Sequence, residues 1–146
     1  MTDIPQFQLA NFLPYLLNQS AEIVGQDFSR VYRNRYGMLR TEWRVLAHLG
    51  QFGTLSATEV GIRARIHKTK ISRAVAALEA KRFVRRKEVA ADRRIATLSL
   101  TKAGQTAYDD LLHIAMDHDR ALMELLGVEE HAALFRSLRI LAGITV

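Results

Sequence analysis

The sequence predicts a mainly α-helical fold of the α+β class, with one β-hairpin between helices. Apolar residues recur at helical spacing along most of the 146 residues. Around residues 96–100 the pattern changes to alternating apolar and polar side chains, which is typical of a half-buried strand. Positive charge is concentrated around this strand, because residues 62–102 carry a net charge of +10 and the whole chain +6.

The remaining composition limits the function classes. Residues 1–61 have no net charge and residues 103–146 carry −4, so we expect a polyanionic partner that contacts the central segment. The chain has no cysteine, which excludes disulfides, a thiol switch and cysteine-ligated metal. Its apolar runs are far shorter than the roughly 20 residues of a membrane span, and Met1–Pro5 lack the features of a signal peptide. We therefore expect a cytoplasmic protein that does not contact membranes.

The first predicted element is a long helix over residues 12–35. Asn11 is a candidate N-cap, and Pro14 falls in the first turn, where its missing N–H costs little. Apolar residues then recur at helical spacing as far as Tyr32, and Gly37 is expected to end the helix.

Two shorter helices follow. Thr41 is expected to cap the first of them, which runs to about Leu49 and is followed by a turn over residues 50–53. Ser56 with Glu59 three residues later fits a capping box, which predicts a short helix to about Ala64.

A helix and a hairpin come next. Residues 67–81 place an apolar stripe opposite a polar face, which predicts a helix that His67 caps or flanks. Residues 83–88 read as a basic strand, residues 90–94 as a connection and residues 96–100 as the partner strand.

The C-terminal third is predicted to be helical. Thr101 is expected to cap a long helix over residues 102–126, which ends at Gly127. A last helix is expected over residues 128–142.

Three helices followed by a hairpin, between residues 41 and 100, are the order of a winged helix-turn-helix. In that fold the last helix enters the DNA major groove, and the basic hairpin reaches along the backbone toward the minor groove. The cationic segment coincides with this helix and hairpin. The sequence therefore predicts a winged helix-turn-helix flanked by long N- and C-terminal helices.

Three stretches resemble the MarR-type transcriptional regulators: residues 39–46, 71–79 and 92–104. The last stretch is the most specific, because an Asp-x-Arg at the wing is followed by a strand and Thr-x-x-Gly. The resemblance implies a homodimer, with residues 1–37 as an N-terminal dimerisation helix, 38–101 as the DNA-binding domain and 102–146 as C-terminal dimerisation helices. It also implies a sequence-specific repressor on a palindromic operator in double-stranded DNA.

The resemblance also implies residue roles. Arg94 corresponds to the arginine at the wing tip that enters the minor groove, and Asp92 to the carboxylate that orients it. Thr69, Ser72 and Arg73 correspond to positions that face bases and phosphates. The complete set of candidate DNA contacts is Lys68, Thr69, Lys70, Ser72, Arg73, Arg85, Arg86, Asp92, Arg93 and Arg94.

One residue departs from the family pattern. The family usually has glycine after the recognition helix, where this chain has Arg82. A left-handed conformation at a non-glycine residue costs about 1 kcal/mol. Either the turn differs, or the charge lies near a phosphate that compensates.

The resemblance further implies an effector pocket between the first helices and the DNA-binding domain, for a small aromatic acid or its thioester. An arginine beside a tryptophan suits an anionic ring compound. Alternatively, Trp43 belongs to the core and Arg44 is a buried structural partner. The candidate effector-binding residues are Tyr15, Asn18, Trp43, Arg44 and His48.

Other function classes find less support. The chain has no phosphate-binding glycine loop, no Ser-x-x-Lys and no Gly-x-Ser-x-Gly, so we expect no enzyme and no cofactor. His113 and Asp117 share a helix face, but two ligands do not make a metal site. The alternative that stays open is an architectural DNA-binding or protein-interaction module without an effector.

Overall fold

The computed structural model describes residues 6–89 and 92–145, and side chains throughout except at residues 92–94. These residues form six α-helices and a three-stranded antiparallel sheet in the order β1-β3-β2. The elements are α1 (Leu13–Tyr36), α2 (Arg40–Phe52), β1 (Leu55–Ser56), α3 (Ala57–Ala64), α4 (Lys68–Ala80), β2 (Val84–Val89), β3 (Asp92–Leu100), α5 (Lys102–Met123) and α6 (Val128–Ala142). The mainly helical winged helix-turn-helix prediction is confirmed.

The start of α1 differs from the prediction. Asn11 lies in a short 3₁₀ turn, where its Nδ2 donates to Oε1 of Gln8 at 3.0 Å, and Phe12 occupies the N-cap position. The prediction of Asn11 as N-cap is wrong, because that side chain is used within the preceding turn. Pro14 lies in the first turn as predicted, and Gly37 ends the helix with a φ of +62°.

Helix α2 begins earlier than predicted and is capped differently. Thr41 does not cap it, because the helix starts at Arg40 with Leu39 at the N-cap position. Oε2 of Glu42 reaches back and accepts the N–H of Leu39 at 3.1 Å. A side chain within the first turn therefore satisfies the backbone donor that precedes the helix.

Helix α2 also continues through the turn predicted at residues 50–53. Gly50 is helical and lies against the ring of Tyr108, where a Cβ atom would come within 2.6 Å of the ring carbons. The glycine therefore permits close packing of α2 on α5 and does not break the helix. Gly53, with a φ of +79°, follows the last residue of α2.

The sheet has one more strand than predicted. Leu55 of β1 pairs with Leu98, which adds a two-residue strand beside the predicted hairpin. A two-residue strand is too short to show alternation in the sequence. The connection predicted at residues 90–94 is too long, since β3 begins at Asp92 and continues the ladder with β2.

The helix caps that follow Ser56 and Thr101 are confirmed. Oγ of Ser56 accepts the N–H of Glu59 at 3.1 Å, and Oγ1 of Thr101 accepts the N–H of Gly104 at 3.0 Å. Helix α5 ends at Met123, earlier than predicted, and Gly127 is the N-cap position of α6 rather than the end of α5.

The core lies between the helices and the sheet of the central segment. It is built mainly from side chains of α2, α3, α4, β2, β3 and α5 that are almost inaccessible to solvent, together with Met38 from the turn between α1 and α2. The largest fully buried ones are Met38, Leu46, Ile71, Leu78, Leu98, Leu111, Val45, Val60 and Val75.

The terminal helices keep a large apolar surface exposed. No residue of α6 is buried, and α1 buries only Tyr32. Exposed apolar side chains on α1 and α6 include Leu13, Leu16, Ile23, Leu134, Leu138, Ile140 and Leu141. In the part of the chain that the structure describes, no helix is long and apolar enough to cross a membrane.

Candidate nucleic-acid interface and effector cavity

Helix α4 has one face in the core and one in solvent. Ile71, Ala74, Val75 and Leu78 pack inward, and Ser72, Arg73 and Ala76 are exposed. His67 caps the helix, because its Nδ1 accepts the N–H of Thr69 at 3.2 Å. Five candidate DNA contacts are exposed on this helix, which the structure brings together: Lys68, Thr69, Lys70, Ser72 and Arg73.

The two candidate arginines of β2 do not share a face. Arg85 pairs with Ser99 and Arg86 with Leu98, and neighbouring side chains in a strand point to opposite faces. Arg86 turns toward α4, where its Nη2 lies 3.5 Å from Oε1 of Glu79. Both arginines are exposed, so an ion pair of this kind leaves Arg86 accessible to a stronger anion.

A groove separates helices α3 and α4 from the hairpin. Its volume is about 830 Å³, and Lys68, Ser72 and Arg86 line it together with Thr97. Ile95 also lines it and is 50% exposed. Helix α4 and the hairpin thus stand on two sides of one cationic concavity.

The side chains of the three candidates at the wing tip are outside the described part of the chain. The backbone of Asp92, Arg93 and Arg94 belongs to β3, and Asp92 pairs with Val89 at the tip of the hairpin. The roles of Asp92, Arg93 and Arg94 stay predictions.

Arg82 occupies a left-handed turn despite its side chain. Its φ is +62°, its N–H donates to Glu79 O at 2.9 Å, and the N–H of Phe83 donates to Leu78 O at 2.9 Å. These two bonds form a Schellman motif, which favours glycine at this position. The hydroxyl of Thr101 donates to Arg82 O at 2.6 Å and fixes the turn from α5. The turn is therefore the one glycine prefers.

The position of Arg82 does not favour the idea that a phosphate compensates for the strain. Arg82 follows the C-terminal end of α4, and the thirteen residues of that helix span about 20 Å from the capped end. A phosphate at the first turn of α4 is therefore far from this residue.

A second concavity of about 350 Å³ lies between α1 and α2. Of the predicted effector residues, Trp43 and Arg44 line it, and Tyr15, Asn18 and His48 do not. Tyr15 and Asn18 precede every lining residue of α1, and Nδ1 of His48 is engaged with Arg44 O at 2.6 Å. The lining residues are Ala21, Glu22, Gly25, Gln26, Phe28, Ser29, Tyr32, Arg33, Arg40, Trp43 and Arg44.

An aromatic cluster forms one wall of this cavity. The ring of Trp43 meets Phe28 edge-on at 5.0 Å between centroids and stacks on Tyr32 at 6.0 Å. Trp43 also packs against the core, as the alternative predicted, and its role in effector binding stays a prediction. Phe28 and Tyr32 also line the cavity and are not among the five predicted effector-binding residues, although their four-residue spacing places them on one face of α1.

Cations outnumber carboxylates in the cavity wall. Arg33, Arg40 and Arg44 line it with a single carboxylate, Glu22, whose Oε1 lies 3.3 Å from Nη1 of Arg40. Burial, and then the charge of Arg40, lowers the pKa of the Arg44 guanidinium below its ordinary value. The Nη2 group of Arg44 donates to the carbonyl of Ala64, so Arg44 is also a structural partner. A cavity with three arginines and aromatic walls can hold a small anion that carries a ring.

Proteins of known structure share this fold. A family model described as the MarR family matches residues 36–95. The chain is similar to a MarR-family transcriptional regulator from Silicibacter pomeroyi, with 27% identity, a TM-score of 0.77 and coverage of 99% of this chain and 98% of that one. It is similar to NadR in complex with 4-hydroxyphenylacetate, with 26% identity, a TM-score of 0.76 and coverage of 99% and 100%. It is also similar to transcriptional regulator PA4135, with 27% identity, a TM-score of 0.80 and coverage of 92% and 98%. No curated protein matches the chain.

Proposed function

We propose that the chain, whose residues 36–95 match the MarR family model, is a sequence-specific DNA-binding repressor, which a small aromatic acid releases from its operator. The observation that carries the proposal is the exposed polar and cationic face of α4 beside the cationic hairpin. A helix with such a face can enter the major groove, while the hairpin follows the backbone. The C-terminal segment carries the opposite charge, which keeps it away from DNA.

The proposal includes a homodimer built from the terminal helices. Residues 1–37 and 102–146 form the dimerisation module, and residues 38–101 form the DNA-binding head. No residue of helix α6 is fully buried within its own chain, and Leu138 and Leu141 are among its exposed apolar side chains. Pairing with a second copy of the chain is the simplest way to cover such an apolar surface, and a two-fold dimer reads a palindromic site.

The cavity between α1 and α2 is the proposed effector site. Its volume of about 350 Å³ falls in the range of small-molecule pockets. The similar protein NadR is known in complex with 4-hydroxyphenylacetate, an aromatic acid of the class that three arginines and Trp43 suit. A thioester of such an acid is the second candidate. Operator release requires the ligand to bind the DNA-free conformer more tightly. The protein acts in the cytoplasm, where its DNA is.

The proposed function is tested by selecting duplexes from a random pool with the full chain and footprinting the enriched sequence. We expect a palindromic site with half-sites about one helical turn apart. Enrichment of no sequence, or protection without a discrete boundary, favours the architectural module instead. The effector is tested by a thermal-shift screen of aromatic acids and their thioesters, in which a ligand of the native state raises the melting temperature. A screen without any such shift contradicts the effector.

A further inference from the structure

One side chain joins the cavity to the start of the recognition helix. The guanidinium of Arg44 lines the cavity, and its Nη2 group donates to the carbonyl of Ala64. Ala64 is the last residue of α3, and the next helix begins at Lys68. Only the short turn that contains Arg65 and His67 separates this hydrogen bond from the first residues of the candidate DNA-reading face.

The carbonyl that Arg44 holds has no other partner among the described residues. The last four carbonyls of a helix lack partners within the helix. In α3 the turn satisfies two of them, since Gly61 O accepts the N–H of Ile66 at 3.0 Å and Ile62 O accepts that of Arg65 at 3.4 Å. Ala64 is 4% exposed, so its carbonyl depends on Arg44 for a donor.

Arg44 itself is held by a weak acceptor. Among the described side chains no carboxylate lies within ion-pair distance of Arg44. Glu22, the single carboxylate of the cavity wall, pairs with Arg40 instead. Its bond is to a neutral carbonyl, in a wall that Arg33 and Arg40 make cationic. A carboxylate accepts a shorter and roughly twice as strong a hydrogen bond from a guanidinium. An anion in the cavity therefore competes with Ala64 for Arg44.

The opposite end of the recognition helix is held by residues outside the cavity. Nζ of Lys81, the residue after α4, lies 3.1 Å from Oε1 of Glu42 in the first turn of α2. Glu42 does not line the cavity. An occupant of the cavity can thus loosen the N-terminal attachment of α4 and leave its C-terminal attachment in place.

From these contacts we propose that Arg44 is the positioning residue that couples the cavity to the DNA-reading helix, an inference that rests on the proposed function. With the cavity empty, Arg44 holds the α3–α4 turn and fixes the first turn of α4. When an anionic ligand takes the guanidinium, the turn is released and the N-terminal end of α4 shifts about its fixed C-terminal end. The affinity for the operator then falls.

The test uses Arg44→Met in the full chain without any ligand, because this variant imitates the released state. We expect the amide of Ile71, the first in the hydrogen-bonded ladder of α4, to exchange about tenfold faster, and the amides of the last turn to keep wild-type rates. Affinity for a duplex selected by the wild-type protein falls about tenfold. The matched control is Arg40→Met. It removes a positive charge from the same cavity wall, but Arg40 makes no hydrogen bond to Ala64.

The outcomes separate this proposal from the proposed function. Wild-type exchange at Ile71 in Arg44→Met, or equal changes in the Arg40→Met control, overturns the coupling role whether or not DNA is bound. Failure of the wild-type protein to enrich any duplex overturns the proposed function but leaves the exchange result interpretable. If Arg44→Met does not fold, Arg44→Lys keeps the charge and the same exchange comparison decides.

Discussion

Nζ of Lys81 lies 3.1 Å from Oε1 of Glu42, and this pair joins the C-terminal end of α4 to the start of α2. Glu42 is 4% exposed, and its other oxygen accepts the N–H of Leu39. One buried carboxylate therefore fixes both the N-terminus of α2 and the C-terminal end of α4. A carboxylate with two such partners is costly to leave unpaired.

Lys81→Met should destabilise the protein by about 2 kcal/mol, less than the 3–5 kcal/mol of a fully buried pair because Lys81 is partly exposed. Urea unfolding measures the free energy. The double variant Glu42→Gln/Lys81→Met should lose less than the sum of the two single variants, since neither partner then leaves a buried charge. Strictly additive losses would show that the two residues do not interact.

Arg82→Gly should stabilise the protein by about 1 kcal/mol, because glycine adopts the left-handed turn without the steric cost that Arg82 incurs. Thermal unfolding should show a rise in the melting temperature of about 3 °C. Arg82→Ala is the control, since it removes the charge and keeps the strain, and it should leave the temperature nearly unchanged. A lower melting temperature for Arg82→Gly would contradict the strain.

A pH-dependent contact joins the C-terminal end of α1 to the N-terminal half of α5. The hydroxyl of Tyr36 donates to Oδ2 of Asp110 at 2.6 Å, and Nη1 of Arg35 lies 2.9 Å from the same oxygen. These hydrogen bonds, that of Tyr36 first, lower the pKa of the Asp110 carboxyl. A lowered pKa in the folded state gives stability that is present above the unfolded value, near 4, and lost as the pH falls through the folded value.

Tyr36→Phe should therefore be less stable than wild type at pH 7, and the difference should shrink as the pH falls below about 4, the unfolded value, and on through the lowered pKa of Asp110 in the folded protein. Urea unfolding between pH 3 and 8 measures it. A difference that stays constant over this range would show that the hydroxyl does not act through the charge of Asp110.

Arg73→Ala should weaken binding to the selected duplex by about 1–3 kcal/mol if the guanidinium contacts a base edge. If it contacts only phosphate, all sequences should lose affinity alike and the salt slope should fall by about one for each contact. Fluorescence anisotropy with selected and scrambled duplexes distinguishes the two. Arg120→Ala on α5 is the matched control, because Arg120 is an exposed arginine that pairs only with Asp117 among the described residues. Equal effects of the two variants would contradict the assignment of the α4 face.

The sequence predicted the helix order, the hairpin and the cationic face because these depend on local spacing. Ile71, Val75 and Leu78 recur on one side of α4, so the opposite side, which carries Ser72 and Arg73, had to face solvent. What it missed depends on tertiary contacts. Gly50 looked like a helix break, yet it stays helical because Tyr108 of α5 packs against it. Local propensity cannot show such a partner.

The lining of the candidate effector cavity between α1 and α2 was predicted only in part for the same reason. Trp43 and Arg44 were found from their chemistry, whereas Arg33 and Arg40 enter the wall because α1 and α2 meet at an angle that the sequence does not encode locally. Tyr15 and Asn18 are of residue types that often line pockets, but they lie nearer the start of α1 than any lining residue. The bond from Arg44 to Ala64 joins residues of two helices and has no sequence signal.

The central claim, that the cationic head binds a specific DNA sequence, is tested most directly by measuring the affinity of the wild-type chain for the selected and the scrambled duplex over a range of salt concentrations. We predict that both affinities fall steeply with salt, and that the selected duplex binds at least about 10³-fold more tightly at physiological salt. Equal affinities for the two duplexes, or an affinity that does not change with salt, would contradict the account.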